Sequence, residues 1–148
     1  MPVIRLTKEF HFELAHALEG YDGACRNIHG HSYILFVTVI GKPISSEENP
    51  KLGMIMDFGE LKRIVNSTII SRFDHSLALS QKSKMLNTLR TENFGKIEAL
   101  PFQPTCENLL PYFAELITAQ LPEGIKLHHL KLNETATSYA EWYASDNQ

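Results

Sequence analysis

Alternating apolar and polar residues near the start of the chain predict a half-buried β-strand. From Ile4 onward, most even-numbered residues are apolar and the odd-numbered ones are polar or charged. A period of two sends successive side chains to opposite faces of a sheet, so His16 lies on the inner face if the strand continues that far. Residues 17–28 carry glycine and aspartate and predict a loop. A second strand, over about residues 31–40, is apolar on both faces and stops at Gly41.

Two later segments have the spacing of amphipathic helices. The first begins at Asp57, a capping residue with a glutamate three positions on, and its apolar residues keep helical spacing until about Phe73. The second begins at Thr105, which serves as its cap, and is expected to end at Gly124. Pro111 lies deep enough in this helix to predict either a kink or a later start.

The remaining pattern completes an α+β fold. Residues 125–143 predict a hairpin of two strands, whereas residues 76–103 give only a short helix-like piece around 84–90 and a weak strand signal at 96–100. The order β-β-α-α-β-β predicts an antiparallel sheet with two helices on one face. Without a visible linker or repeat, residues 1–148 form a single domain. The other sheet face and the sheet edges lack cover within the chain, so we expect an oligomer whose copies close the sheet.

The composition indicates an ordinary globular protein. Its 148 residues are 43% hydrophobic, enough to build a core without disulfide staples. A net charge of -3 gives no basic surface for nucleic acid, and the longest apolar run, Tyr33 to Ile40, is far shorter than the ~20 residues that span a bilayer. We therefore expect no membrane segment and, since the first residues do not resemble a signal peptide, a cytoplasmic protein. Two cysteines are too few for a disulfide scaffold.

The strongest chemical signal is the segment from Cys25 to His31. His29 and His31 lie two positions apart at the start of a strand, so both imidazoles point to one face and can bind one metal ion. His16 can supply a third ligand if the two strands are neighbours. Three neutral histidines with an open fourth position are typical of catalytic zinc. The alternative is a polar turn beside a buried, hydrogen-bonded His16.

Other residues allow two interpretations each. Near zinc, the thiolate of Cys25 can act as a base or nucleophile, or it can be the fourth ligand of a closed structural site. Asp74 can orient His75, although such a pair is also common at an exposed helix end. Glu134 shares a face with apolar residues, where a planar ligand with N–H donors would satisfy it, unless it turns to solvent. Cys106 is expected to be a small residue at a helix start.

Six short motifs occur together and in order along the chain. They are residues 10–16 (FHFELAH), 25–31 (CRNIHGH), 56–62 (MDFGELK), 73–75 (FDH), 104–108 (PTCEN) and 134–135 (ET). Over about residues 4–143 the chain resembles the 6-pyruvoyltetrahydropterin synthase/6-carboxytetrahydropterin synthase family, and most closely the bacterial 6-carboxytetrahydropterin synthases of the queuosine pathway. It departs from the family in Glu13-Leu14, where small residues are usual, and in the length of the segment 76–103.

The resemblance implies a fold and a set of site residues. The fold is the tunnelling fold, in which subunit sheets join into a barrel and two trimers stack into a hexamer. The residues implied are His16, His29 and His31 for Zn2+; Cys25, Asp74, His75 and Glu134 for catalysis; and Glu134, Thr105, Glu107 and Arg26 for the substrate.

The resemblance also implies an activity. The substrate is 7,8-dihydroneopterin triphosphate, and the products are 6-carboxy-5,6,7,8-tetrahydropterin, acetaldehyde and triphosphate. Zinc would polarise the side-chain oxygens, Cys25 would take a proton, His75 held by Asp74 would shuttle protons, and Glu134 would anchor the pterin ring. The alternatives are a pyruvoyl product or retro-aldol cleavage on the same fold, or a non-catalytic zinc-stabilised binding protein.

Overall fold

Six β-strands form one mixed sheet in the computed structural model, which describes residues 2–93 and 95–148. The order across the sheet is β4-β3-β1-β2-β5-β6. Strands β1, β2, β5 and β6 are antiparallel neighbours, whereas β3 runs parallel to β1 and β4 runs parallel to β3. The strands are β1 (Ile4–His16), β2 (His29–Gly41), β3 (Ser76–Ser80), β4 (Ile97–Leu100), β5 (Lys126–Asn133) and β6 (Tyr139–Tyr143).

Helical segments occupy the connections between strands. A short 3-10 turn lies between β1 and β2, and the chain ends in a second one. The helix after β2 is continuous in three parts, and two further helices follow. In chain order, the helical segments are the 3-10 turn Ala24–Arg26, α1 (Phe58–Val65), a π-helical turn (Asn66–Ile70), α2 (Ser71–Phe73), α3 (Met85–Thr91), α4 (Cys106–Thr118) and the 3-10 turn Ala144–Asn147. Among the described residues, every helix is too short or too polar to cross a membrane.

Both predicted helix caps are present. The Asp57 carboxylate accepts a hydrogen bond of 2.7 Å from the N–H of Gly59, and the Thr105 side chain accepts one of 3.2 Å from the N–H of Asn108. Helix α4 starts directly after its cap and runs through Pro111, so the later start is wrong. It ends at Thr118, before the Gly124 turn that was expected to stop it.

Helices α1 and α4 pack on one face of the sheet, as predicted for the two amphipathic helices. Alternate residues of β1 and β2 point into this core, where Phe12 stacks on Tyr33 with ring centroids 5.2 Å apart. Phe113 of α4 meets Phe12 edge-on at 6.2 Å, and Phe73 lies 5.1 Å from Phe113. Each fully buried aromatic ring of this kind contributes roughly 1.5–3 kcal/mol of burial free energy. This core fixes the ends of β1 and β2 that carry the histidines.

The prediction of an entirely antiparallel sheet is wrong for segment 76–103, which adds two parallel strands. Strand β3, helix α3 and strand β4 form a β-α-β unit, and such a crossover returns the chain parallel to its first strand. Leu86 of α3 packs with Ala17 and Leu79 on the face opposite α1 and α4. That face is therefore partly covered within the chain. Elsewhere it remains more open, and Ile34 and Phe36 of β2 are only half-buried.

Candidate functional site

Antiparallel pairing of β1 and β2 brings the three predicted histidines to one point. In the register, His16 lies opposite His29, and Leu14 lies opposite His31. One nitrogen of each imidazole lies within 4.8 Å of the other two. The ring centroids are 4.5 to 5.2 Å apart. The sequence prediction that these residues converge is thus confirmed for the side chains themselves.

The hydrogen bonds of two of these rings determine their tautomers. His16 Nδ1 lies 2.7 Å from the backbone oxygen of Pro104, and His29 Nδ1 lies 2.7 Å from that of Asn27. A carbonyl oxygen only accepts, so both Nδ1 atoms carry hydrogen and both Nε2 atoms of the neutral rings are lone pairs. These two Nε2 atoms are 2.9 Å apart. Two lone pairs this close repel each other unless a proton or a cation lies between them.

The buried Nε2 of His31 and the lowered pKa of His16 complete a set of three nitrogen donors that fits zinc. His31 Nε2 is buried and has no hydrogen-bond partner among the described residues; it lies 3.2 Å from a Glu134 oxygen, but without hydrogen-bonding geometry. Burial lowers the pKa of His16, reinforced by the neighbouring His29, so this ring stays neutral, as a metal ligand must. Imidazoles whose second nitrogen bonds a backbone carbonyl are usual at zinc sites.

Cys25 is not part of this converging group. Among the described residues, the group whose donor atoms come together consists of the three histidines alone. Cys25 instead lines the adjacent cavity, at the 3-10 turn between β1 and β2. This geometry favours three protein ligands and an open position over a closed site.

The cavity beside the histidines has a volume of about 530 Å³, a size suited to a small bicyclic ligand. A larger cavity of about 640 Å³ lies at the far end of β2 and contains none of the predicted site residues among its lining. The histidine-side cavity is the candidate site because it gathers groups from separate elements. The predicted residues that line it are His16, Cys25, Thr105, Glu107 and Glu134.

Glu134 lines this cavity, where its carboxylate can meet a ligand, so the alternative in which it turns to bulk solvent is not what the structure has. It follows β5, where its N–H donates to the backbone oxygen of Ser138 and closes the hairpin turn. One carboxylate oxygen lies near His31, and the other accepts a hydrogen bond of 3.4 Å from the Cys106 thiol. Burial, together with the charge of Glu134, raises the pKa of Cys106 to about 12. Cys106 therefore remains a thiol and a donor.

Three residues next to the histidines were not predicted from the sequence. Cys106 was interpreted as a helix-start residue, although its place beside the cap in PTCEN was a usable signal. Tyr33 lies two residues after His31, with ring centroids 5.6 Å apart, and burial raises the pKa of its phenol. Gln103 lines the cavity and donates from Nε2 to the backbone oxygen of Glu19 at 2.7 Å. Neither Tyr33 nor Gln103 has a chemical pattern in the sequence that marks it.

His75 lies at a second cavity, which His31 also lines. His75 Nδ1 is 3.1 Å from Asp74 Oδ1, so the pair forms as predicted. However, His75 lines a cavity of about 460 Å³ together with Glu13 and Lys96, and the described lining of this cavity shares no residue with that of the Cys25 cavity. Within a single chain, Cys25 and His75 therefore line separate cavities.

Arg26 is the predicted substrate-binding residue that the structure separates from the site. It ends the 3-10 turn after Cys25, its side chain is exposed, and it is absent from the described lining of the cavity.

The whole chain is similar to pterin enzymes. A family model described as 6-pyruvoyl tetrahydropterin synthase matches residues 5–145. The 6-carboxy-5,6,7,8-tetrahydropterin synthase of Haemophilus influenzae is 32% identical over 147 residues, covering 95% of this chain and 99% of the relative. The protein of the same name from Rickettsia bellii is 31% identical over 142 residues, covering 94% and 99%.

Solved structures share the fold. An uncharacterized protein from Wolinella succinogenes superposes with a TM-score of 0.79 at 20% identity, covering 97% of this chain and 99% of the other. The 6-pyruvoyl tetrahydropterin synthase of Caenorhabditis elegans superposes with a TM-score of 0.70 at 22% identity, covering 97% of both chains. At these identities the likeness concerns the fold alone.

Proposed function

The chain belongs to the 6-pyruvoyl tetrahydropterin synthase family, and from this membership we propose that it is a zinc-dependent 6-carboxytetrahydropterin synthase. It converts 7,8-dihydroneopterin triphosphate and one water to 6-carboxy-5,6,7,8-tetrahydropterin, acetaldehyde and triphosphate, as a cytoplasmic lyase of queuosine precursor synthesis. The observation that carries the proposal is the convergence of His16, His29 and His31 beside a cavity that also holds Cys25 and Glu134. The names of the relatives that match nearly the full chain support this product over a pyruvoyl one.

His16, His29 and His31 hold the zinc in this proposal. When bound there, zinc supplies Lewis-acid polarisation of substrate oxygens. The carbonyls of Pro104 and Asn27 keep two of the rings in the tautomer that offers Nε2. The ligand geometry is thereby set before any substrate arrives.

Glu134 and Cys25 act on the substrate directly. The Glu134 carboxylate accepts hydrogen bonds from N–H groups of the pterin ring, and charge-assisted bonds of this kind are roughly twice as strong as neutral ones. Cys25 Sγ accepts the proton that leaves the carbon next to a side-chain hydroxyl. Anchoring the ring at Glu134 fixes the distance of the side chain from Cys25, which is a positional contribution to the rate. Thr105 and Glu107 contact the ring from the start of α4.

Asp74 and His75 contribute from a second copy of the chain. In one chain, His75 and Cys25 line separate cavities, and in this proposal a second subunit brings the pair to the Cys25 cavity. His75 then returns protons while Asp74 orients its ring. This arrangement makes an oligomer, proposed here as a hexamer, part of the catalytic machinery.

A product assay tests the function. The zinc-loaded protein is incubated with 7,8-dihydroneopterin triphosphate, and the pterins and acetaldehyde are separated and quantified. We expect 6-carboxytetrahydropterin and acetaldehyde in equal amounts. A pyruvoyl product, or a hydroxymethyl pterin from retro-aldol cleavage, would assign a different reaction to the same site.

Cobalt substitution tests the non-catalytic alternative. A cysteine thiolate bound to Co2+ gives an intense near-ultraviolet charge-transfer band, which a three-histidine site lacks. We expect no such band. Its presence, together with absent turnover, would identify a closed structural site and overturn the proposal.

A further inference from the structure

We propose that Lys96 is a positioning residue that holds the Asp74–His75 pair in its working geometry. The inference rests on the proposed function, because it gives Lys96 a role in catalysis only if that pair acts on substrate. Lys96 belongs to the long segment 76–103, so the segment would have a structural role at the Asp74–His75 pair.

The Lys96 ammonium group makes two backbone contacts around the pair. Its Nζ donates to the carbonyl oxygens of Ser71 and Asp74, both at 2.7 Å. The last carbonyl groups of a helix lack partners within the helix, and a cation is favoured at that end of the helix dipole. Ser71 belongs to α2, the last part of the helix after β2, so Lys96 joins the helix end to the residue that orients His75.

The pair needs such support because its backbone is strained. His75 has φ of 60°, in the left-handed region that a side chain with a Cβ adopts at an energetic cost. Such conformations persist only where the surroundings hold them from several sides.

Strand β1 supplies one side of the support, and Lys96 supplies the other. The N–H of Glu13 donates to Asp74 Oδ1 at 2.9 Å, and the N–H of His75 donates to the Glu13 backbone oxygen at 2.7 Å. The backbone oxygen of Lys96 accepts from the N–H of Leu77 at 3.0 Å, so Lys96 is itself fixed directly after the pair. Asp74 and His75 are thus held between β1 and the residue that precedes β4.

The charges around Lys96 favour this role over binding a substrate phosphate. The side chain already donates two hydrogen bonds to carbonyls. The Glu13 side chain lines the same cavity as Lys96, and its carboxylate accepts a 2.7 Å bond from Ser32. The Asp74 carboxylate is also close enough for the Lys96 charge to act on it. The Glu13 N–H, followed by His75 and Lys96, lowers the pKa of Asp74, so the carboxylate stays charged beside its imidazole.

The test compares Lys96→Met, Lys96→Arg and the control Lys82→Met. Methionine keeps most of the stem and removes the donors, arginine restores charge and donors, and Lys82 is an exposed lysine of the same segment. We expect Lys96→Met to keep its zinc and its melting temperature within the range of the control. Its kcat should fall about 10- to 100-fold with KM little changed, as a misplaced catalytic group would produce. Lys96→Arg should recover most of the rate.

A second measurement does not depend on activity. Amide hydrogen exchange at Asp74 and His75 should be faster in Lys96→Met than in the wild type or in Lys82→Met. If the wild-type protein fails to turn over the pterin substrate, the proposed function is wrong. Hydrogen exchange would still test whether Lys96 holds Asp74 and His75 in place. Unchanged exchange, a fall in kcat that arginine does not restore, or a loss of zinc and stability along with the rate would each overturn the role of Lys96.

Discussion

The tautomers of His16 and His29 follow from the carbonyl groups beside them. Pro104, which precedes the cap of α4, is distant in sequence from His16, whereas Asn27 is only two residues before His29, so one imidazole is oriented by a distant carbonyl and the other by a local one. The spacing of His29 and His31 could predict a shared face. It could not predict that two Nε2 lone pairs lie 2.9 Å apart. That distance is a physical reason to expect either a proton or a cation between the two rings.

Replacing Cys25 by alanine separates catalysis from zinc binding. Because Cys25 lines the cavity and is not one of the converging ligands, Cys25→Ala should keep its zinc and its melting temperature. Turnover should fall about 10²–10⁴-fold, the usual effect of removing a general base. Metal analysis, thermal unfolding and single-turnover kinetics on this variant check the three expectations. A metal-poor, unstable variant would contradict the catalytic assignment.

The two cysteines should differ in reactivity, although both line the same cavity. Only the thiolate is alkylated, and a pKa of about 12 leaves Cys106 with roughly one thiolate in ten thousand at pH 8. Cys106 is also buried. Iodoacetamide at pH 8 should therefore modify Cys25 and spare Cys106, as peptide mass spectrometry can measure, and modification of Cys106 should rise as the pH approaches 12.

The variant Cys25→Ala serves as the control for this experiment. It should take up almost no label at pH 8. Labelling of Cys106 at a rate similar to that of Cys25 would contradict the buried thiol that donates to Glu134.

The sequence predicted cavity residues where reactive side chains occur at a spacing or strand position typical of a known kind of site. His16, Cys25 and Glu134 were each predicted and lie at one cavity. Tyr33 and Gln103 could not be found in this way because their importance comes from packing across elements. The sequence also could not predict that Asp74 lies apart from Cys25, because no local pattern specifies where the end of α2 lies relative to the turn that carries Cys25.

At the scale of elements, strong local signals were reliable and weak ones were not. The caps Asp57 and Thr105 and the hairpin of β5 and β6 are observed as predicted. Strand β3 was missed because its five residues have too few alternations to stand out. Its parallel pairing depends on contacts with β1 and β4, which the local pattern of β3 does not contain.

The cap at Asp57 should contribute measurably to stability. Its carboxylate satisfies the Gly59 N–H at the start of α1, which would otherwise lack a partner in the helix. Asp57→Ala should lower the free energy of unfolding by about 0.5–2 kcal/mol. Urea denaturation would measure the change, with the exposed Asp146→Ala as a control expected to lie within about 0.5 kcal/mol of the wild type. Equal effects of the two substitutions would contradict the capping role.

At the scale of the whole molecule, the sheet is unfinished in one chain. Strands β4 and β6 lie at its two edges, and on its second face Ile34 and Phe36 are only partly covered. Open edges are association hazards unless another chain pairs with them. The groups proposed for catalysis are also divided, since Cys25 and His75 line different cavities of one chain. The proposed second copy would pair with an open sheet edge and bring these groups together.

Mixing two inactive variants tests that requirement. Cys25→Ala and His75→Ala should each have very low turnover when expressed alone. If a site combines Cys25 of one subunit with His75 of another, co-expressed variants should regain activity, because some interfaces pair the two intact halves. Random assembly gives about one such site in four, so roughly a quarter of wild-type turnover is the upper expectation. Sedimentation should show the same trimer or hexamer for the mixture and the wild type. Activity that stays at the level of the separate variants in an intact oligomer would mean that each site is built from one chain, and would contradict the proposal that the Asp74–His75 pair acts from a second subunit.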